Sequence, residues 1–217
     1  VNPRSSAFDN SGLWAIIPVK PLRRAKSRLA RALQADQRAA LARAMFARTL
    51  DVLAPVKRVS GIVVVSSDLT VQDIARAKNA IPLAETESGL NAAVSQACAW
   101  LEARGASAAL IVPTDLPLLA AADVEAMLDL AVEPACIVIA PDRREHGTNA
   151  LLLRPPQVIR PAFGASSFEA HQAQALARRL PAHVYRSATI ALDLDRPGDL
   201  DRYRELAGRL DALPLYE

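Results

Sequence analysis

Leu13-Trp14-Ala15-Ile16-Ile17-Pro18-Val19-Lys20-Pro21-Leu22-Arg23-Arg24-Ala25-Lys26-Ser27-Arg28-Leu29 is the stretch on which the architecture turns. Leu13 to Val19 is apolar at every position. A run without polar alternation, bounded by proline, reads as a strand buried on both faces. The loop from Lys20 to Leu29 carries five basic residues and no acid. A buried strand that releases its chain into a charged loop is the opening of an α/β unit, whose ligands gather beyond the carboxyl ends of the strands.

Outward from this stretch the same alternation repeats. Asp36 is placed to cap a helix running to about Leu53, with Leu41, Met45 and Val52 on one stripe and Pro55 ending it. Gly61 to Val65 reads as the next strand, and Thr70 with Asp73 resembles a capping box for a short helix. Ile81 to Ala84 reads as extended and Leu90 to Ala103 as a helix ending at Gly105. Ala108 to Val112 is an apolar strand running into Pro113-Thr114-Asp115, with a helix next at Ala121 to Ala131. Strands are predicted at Cys136 to Ala140, Asn149 to Leu153, His183 to Ser187 and Ile190 to Leu194. A helix is predicted at Phe168 to Arg179, and Pro197 opens the last one. This pattern predicts one Rossmann-like α/β domain over residues 13–217, a mainly parallel sheet with helices on both faces. The polar residues 1–12 read as a disordered lead-in.

Composition removes several classes of function. The 217 residues are 51% hydrophobic and 23% charged, enough apolar surface for a core and too little net charge for wholesale disorder. No apolar run approaches the roughly 20 residues of a membrane span. Cys98 and Cys136 form no CxxC, which excludes a zinc ribbon and points to the cytoplasm. The eight glycines include neither GxGxxG nor GxxxxGK[ST], and no GxSxG occurs. Net charge is +3, unevenly placed: Lys20 to Arg58 holds eleven Lys/Arg against Asp36 and Asp51, whereas residues 59–217 hold fourteen basic and twenty acidic side chains. A basic front beside an acidic back suits a polyanion gripped near metal-binding carboxylates. Nine aromatic residues leave little for nucleic-acid stacking platforms.

Four loops hold the candidate chemistry. The basic loop after the first strand can neutralise phosphates with Lys point charges and Arg forks. Asp115, at a strand end, is placed to hold a hard divalent cation; the plainer alternative is a turn aspartate. In Asp193-Leu194-Asp195 the two carboxylates alternate, so on a strand only one of them faces the site. Asp199 reads as first-turn helix chemistry. Gly147-Thr148-Asn149 and Phe163-Gly164-Ala165-Ser166-Ser167 read as a natural anion seat, the plainer alternative being ordinary helix capping by Ser and Thr. His146, His171 and His183 have no metal spacing, but His146 abuts the proposed seat. Glu87-Ser88-Gly89-Leu90-Asn91 enters a helix where a sugar or base can be read, or where Ser88 is simply a cap.

Taken in order, Pro18-Val19-Lys20, Ala25-Lys26-Ser27-Arg28-Leu29, Gly89-Leu90-Asn91-Ala92-Ala93-Val94, Asp115-Leu116-Pro117, Gly147-Thr148-Asn149, Phe163-Gly164 with Ser167 and His171, and Asp193-Leu194-Asp195 closely resemble the phospholactate guanylyltransferase family, from about Trp14 to Leu206. The resemblance implies the nucleotidyltransferase α/β fold, related to enzymes that activate sugars and the molybdenum cofactor. It implies transfer of GMP from GTP onto a three-carbon phosphorylated acid, giving a precursor of the deazaflavin coenzyme F(420). It further implies Mg²⁺ held by Asp115 and Asp195, with Asp193 the alternative second ligand. Lys20 and Lys26 would neutralise the phosphates and, with Asp115, form the catalytic set. Pro18, Gly89, Leu90 and Asn91 would lie along the nucleoside, and Thr148, Gly164 and Ser167 would seat the acid. Relatives usually carry Thr where Arg196 stands.

The implied chemistry is physically coherent. A phosphomonoester with a second pKa near ~6 is already an ionised nucleophile at neutral pH, so no general base is required. Family members use 2-phospho-L-lactate, phosphoenolpyruvate or 3-phospho-D-glycerate. A site that hydrogen-bonds a hydroxyl discriminates better than one that measures a methyl. His146, and Cys98 one stripe beyond Asn91, lean the expectation towards 3-phospho-D-glycerate. A CTP- or sugar-phosphate-handling nucleotidyltransferase is one rival; a basic RNA-binding module is another, predicting salt-sensitive binding without pyrophosphate release. The expected partners are GTP and the acid, with no nucleic acid and no membrane; the apolar helices would supply a homodimer interface.

Overall fold

The apolar run at Leu13–Pro18 forms strand β1, buried at every residue. A computed structural model describes residues 12–209 of the chain. The lead-in expected at residues 1–12 lies outside them apart from Gly12. Along the chain come 3₁₀ turns at Leu22–Arg24 and Ser27–Leu29, α1 (Ala35–Leu53), β2 (Val59–Ser66), α2 (Leu69–Ala77), β3 (Ile81–Ala84) and α3 (Leu90–Glu102). Next are β4 (Ala108–Ile111), α4 (Ala121–Leu130), β5 (Cys136–Pro141), β6 (Thr148–Arg154), α5 (Ser167–Ala177), β7 (Ala182–Val184) and α6 (Pro197–Arg209).

The strands make one seven-stranded sheet in the order β3-β2-β1-β4-β6-β5-β7. β1 pairs in parallel with β2 and β4, and β2 with β3. β6 runs antiparallel to both β4 and β5. Consequently the start of β6, at Thr148, emerges at the same edge as the end of β4, so one antiparallel strand brings a second set of loops to the carboxyl ends of the parallel strands.

Period-two alternation divides the core. Leu13, Ala15 and Ile17 pack with Phe46, Leu50, Val71 and Met127 under α1, α2 and α4. Trp14 and Ile16 pack with Val94, Ala97, Leu101 and Phe168 under α3 and α5. Each fully buried Val, Leu, Ile, Phe or Met among them contributes about 1.5–3 kcal/mol. Gly61 is required by this packing: a Cβ there would sit 2.3 Å from the Trp14 ring. A third cluster, with Leu29, Leu41, Met45, Leu118, Leu192, Leu194, Leu200 and Tyr203, pins the 3₁₀ turns and the Asp193 segment against α1.

Several local expectations change. Helix α1 is capped by Gln34, whose N–H donates to Gln37 Oε1 at 2.8 Å, and Asp36 sits inside its first turn. Helix α2 is capped by Asp68, which accepts from the Thr70 N–H at 2.9 Å; Thr70 and Asp73 make no capping box. β7 stops at Val184, and Ile190 to Leu194 is not a strand. That segment is fixed by other means: Asn149 Nδ2 donates to the Ile190 carbonyl at 2.8 Å, and the Leu194 N–H donates to the Asp115 carbonyl at 2.8 Å. Leu192 and Leu194 are apolar because they face the third cluster, not a sheet. Cys98 is 1% exposed within the α3 core and lines neither of the two cavities described below. Among the described residues no helix is long and apolar enough to cross a membrane.

Candidate active site

The loop leaving β1 is compact. Lys26 takes a left-handed conformation at φ 54°, between the two 3₁₀ turns, which aims its ammonium inward. There Lys26 Nζ donates to the Leu194 carbonyl at 2.9 Å and lies 3.5 Å from Asp195 Oδ1. Arg28 Nη1 reaches Asp195 Oδ2 at 3.0 Å, a pair open enough to solvent to add little stability. Beneath them, Arg48 on α1 donates to the Pro117 carbonyl at 2.7 Å and holds the turn after β4.

A cavity of about 350 Å³ opens over this loop, and its lining includes Pro18, Lys20, Lys26, Gly89, Leu90, Asp115 and Asp195. Gly89 has φ 123°, which an L side chain rarely adopts, so glycine is needed for the turn into α3. A second cavity of about 460 Å³ adjoins it. Its walls include His146, Thr148, Gly164 and Ser167 together with Asp193, Arg143 and Arg144. Leu90, Pro113, Asp115 and Asp195 line both cavities.

The carboxylates at and beside this shared wall are under electrostatic stress. Burial pushes the Asp115 carboxyl above its ordinary range; Lys26 opposes that shift and the Asp195 charge adds to it. Asp193 is pushed up to about 6, by burial first and by the Asp115 charge second. Asp199 is a structural residue, its Oδ2 accepting the Asp195 and Arg196 N–H groups at the start of α6 at 3.0 and 2.6 Å. Three carboxylates with hard oxygen donors, two of them raised by burial and by neighbouring negative charge, are chemically suited to a divalent cation. Among the described residues, however, no group of three or more His, Cys, Asp and Glu is already gathered as a metal cluster.

The expectation that only one of Asp193 and Asp195 faces the site fails, because it assumed strand alternation. The segment is irregular, and both residues line the second cavity. Asn91, expected along the nucleoside, lines neither cavity. Its amide is consumed by the Phe163 peptide, donating to the carbonyl at 3.0 Å and accepting from the N–H at 2.7 Å, so it ties α3 to the turn before Gly164. His146 is exposed and lines the second cavity, while its backbone carbonyl accepts from the Phe168 N–H. Gly164 has φ 143° and Ser167 is buried at the start of α5.

Sequence reasoning missed Arg143 and Arg144. They sit in the β5–β6 hairpin, whose turn is organised by Asp142 Oδ1 accepting the Arg144 and His146 N–H groups at 3.0 Å each. The available signal was Asp142 to Gly147 as a charged turn between two apolar strands. It is visible only once those strands are read as a hairpin and not as separate crossovers.

Residues 13–204 match the family described as "Guanylyl transferase CofC like". The chain belongs to that guanylyl transferase family. It is similar to the phosphoenolpyruvate guanylyltransferase of Sphaerobacter thermophilus, 42% identical over 89% of this chain and 92% of the relative. It is also similar to the 3-phospho-D-glycerate guanylyltransferase of Colwellia psychrerythraea, 34% identical over 86% of this chain and 88% of the relative. The fold of this guanylyltransferase is that of nucleotidyltransferases. The solved 4-diphosphocytidyl-2C-methyl-D-erythritol synthase of Anaerococcus prevotii superposes with a TM-score of 0.62, covering 93% of this chain and 98% of that one at 11% identity.

Proposed function

We propose that this guanylyltransferase transfers GMP from GTP onto the phosphate of phosphoenolpyruvate, forming the guanosine-diphospho-acid used in deazaflavin coenzyme biosynthesis. The observation that carries the reading is the pair of adjoining cavities with Asp115 and Asp195 in their common wall. An oxygen of the acid's phosphate would attack the α-phosphorus of GTP, forming one P–O bond while the bond to the β-phosphate bridging oxygen breaks and pyrophosphate leaves. Because that phosphate is ionised at neutral pH, no side chain has to remove a proton.

In this reading the chain's own residues hold and align. Lys20 and Lys26 face the triphosphate from the β1 loop, and Pro18, Gly89 and Leu90 form the floor on which the nucleoside rests. Thr148, Gly164 and Ser167 seat the acid's anionic groups, with His146, Arg143 and Arg144 at the mouth of that seat. Asp115, Asp195 and Asp193 would hold Mg²⁺, which when bound would offset the mutual repulsion of the two phosphate compounds. Alignment of nucleophile and α-phosphorus, with cationic stabilisation of the leaving pyrophosphate, then supplies the rate.

The choice of phosphoenolpyruvate is supported by the 42%-identical relative that bears that name. 3-Phospho-D-glycerate is the second reading, favoured by His146 at the acid cavity; Cys98 gives it no support, being sealed in the core. The test is mass spectrometry of products after mixing the protein with GTP, Mg²⁺ and equal amounts of phosphoenolpyruvate, 3-phospho-D-glycerate and 2-phospho-L-lactate. Predominance of the phosphoenolpyruvate adduct is expected. Predominance of another adduct replaces the acid assignment, and absence of any guanylylated acid overturns the reading.

A further inference from the structure

We propose that His171 is a positioning residue that makes Thr148 a dedicated hydrogen-bond donor to an anionic oxygen of the acid substrate. The ring of His171 is completely buried on α5, edge-on to Phe163 with centroids 5.3 Å apart. Both of its nitrogens are engaged. The backbone N–H of Ala162 points at Nε2 at 3.0 Å, so Nε2 must present its lone pair. In a neutral imidazole the proton then resides on Nδ1. Nδ1 lies 3.0 Å from Thr148 Oγ1, so the hydroxyl accepts there.

A hydroxyl that accepts from one side still has one proton to give. Thr148 begins β6 at the wall of the second cavity, where it is 8% exposed. Its remaining proton is free to serve a group in that cavity, and only an acceptor can use it. Burial also holds the His171 pKa down to about 4, so the ring stays neutral and its tautomer fixed at working pH. The imidazole therefore turns the hydroxyl proton away from itself and favours a carboxylate or phosphate oxygen in the cavity without touching it, whereas the hydroxyl of Thr148 alone would rotate freely. The Ala162 bond ties the same device to the turn carrying Phe163 and Gly164.

The proposal deepens the acid-binding reading, on which its kinetic arm rests. Its first arm is independent of any substrate: ¹⁵N-detected NMR of the protein, which has three histidines, should show His171 as the neutral Nδ1–H tautomer at pH 7.5. An Nε2–H tautomer or an imidazolium would overturn it. In the second arm, His171→Asn keeps an N–H donor near the Nδ1 position, whereas His171→Gln moves the amide out to the Nε2 position. The expected result is an acid KM within about threefold of the parent for the Asn variant. A rise of about tenfold or more is expected for the Gln variant, the scale of one hydrogen bond to a charged acceptor, with the GTP KM unchanged. Thr148→Val should raise the acid KM similarly, and adding His171→Gln to it should add little. Equal losses in the Asn and Gln variants, or additivity with Thr148→Val, would overturn the proposal. If the parent guanylylates no acid, the functional reading fails and the NMR arm still decides the tautomer.

Discussion

Lys26 and Leu194, 168 residues apart in sequence, are joined by a 2.9 Å hydrogen bond from the Lys26 ammonium to the Leu194 carbonyl. That bond, with Asp195 Oδ1 3.5 Å away, ties the basic loop after β1 to the acidic segment before α6. The Lys26 side chain is 7% exposed, so its charge is poorly screened where phosphates would lie. Lys26→Met is expected to lower kcat by about 10²–10³, the scale of losing one preorganised charge-stabilising donor. Steady-state pyrophosphate release at saturating GTP checks this, with circular dichroism to confirm the fold.

The cation assignment makes a stability prediction. At pH 7.5, Mg²⁺ at a hundred times its Kd should stabilise the parent by about 2.7 kcal/mol, as a ligand that binds only the folded chain does. Asp115→Asn should abolish most of that gain, measured as the shift in Tm on adding Mg²⁺ after chelation. An undiminished shift in the variant would place the cation elsewhere.

His171 makes stability depend on pH. Its folded pKa of about 4 lies below the ~6.5 of an unfolded histidine, so between those values the unfolded chain takes up a proton that the folded chain refuses. The contribution is present above pH ~6.5 and is lost as pH falls through about 4, amounting to roughly 3 kcal/mol from the shift. His171→Asn should flatten that part of the profile. Thermal melts of both proteins from pH 7.5 to 4 would show the difference.

Gly89→Ala tests the turn into α3. At φ 123° an added Cβ meets no neighbouring atom but forces a strained backbone, costing about 1–3 kcal/mol locally. The GTP KM should rise severalfold while the acid KM holds, since Gly89 lines only the first cavity.

Arg143→Ala with Arg144→Ala should do the reverse, raising the acid KM and making it less sensitive to salt, with little effect on GTP. Initial rates at two ionic strengths are sufficient.

Most of the fold was legible because its signals are local. The runs at Leu13–Pro18, Ala108–Ile111 and Cys136–Pro141 are buried from both sides, and burial of that kind writes itself into consecutive residues. Ile190 to Leu194 misled for the same reason: Leu192 and Leu194 are apolar at alternate positions, yet they pack on a loop cluster that no short-range pattern distinguishes from a sheet. The candidate site was legible as a set of residue types at strand ends. Pairing was the part that escaped. The resemblance put Asn91 along the nucleoside, but the Phe163 peptide that engages its amide lies 72 residues away. Arg143 and Arg144 were passed over because their place at the second cavity depends on β6 running antiparallel, a fact of topology that composition does not carry.

That reversed strand has a further result. The proposed nucleotide cavity is lined mainly by the β1 loop and the entry to α3, the proposed acid cavity mainly by the β5–β6 hairpin and the turn before α5, and the two share only Leu90, Pro113, Asp115 and Asp195. On the proposed assignment the chain is a chassis with one exchangeable end: grafting a different hairpin tip over residues 142–147 is expected to retune which small acid is accepted while leaving the first cavity as it was.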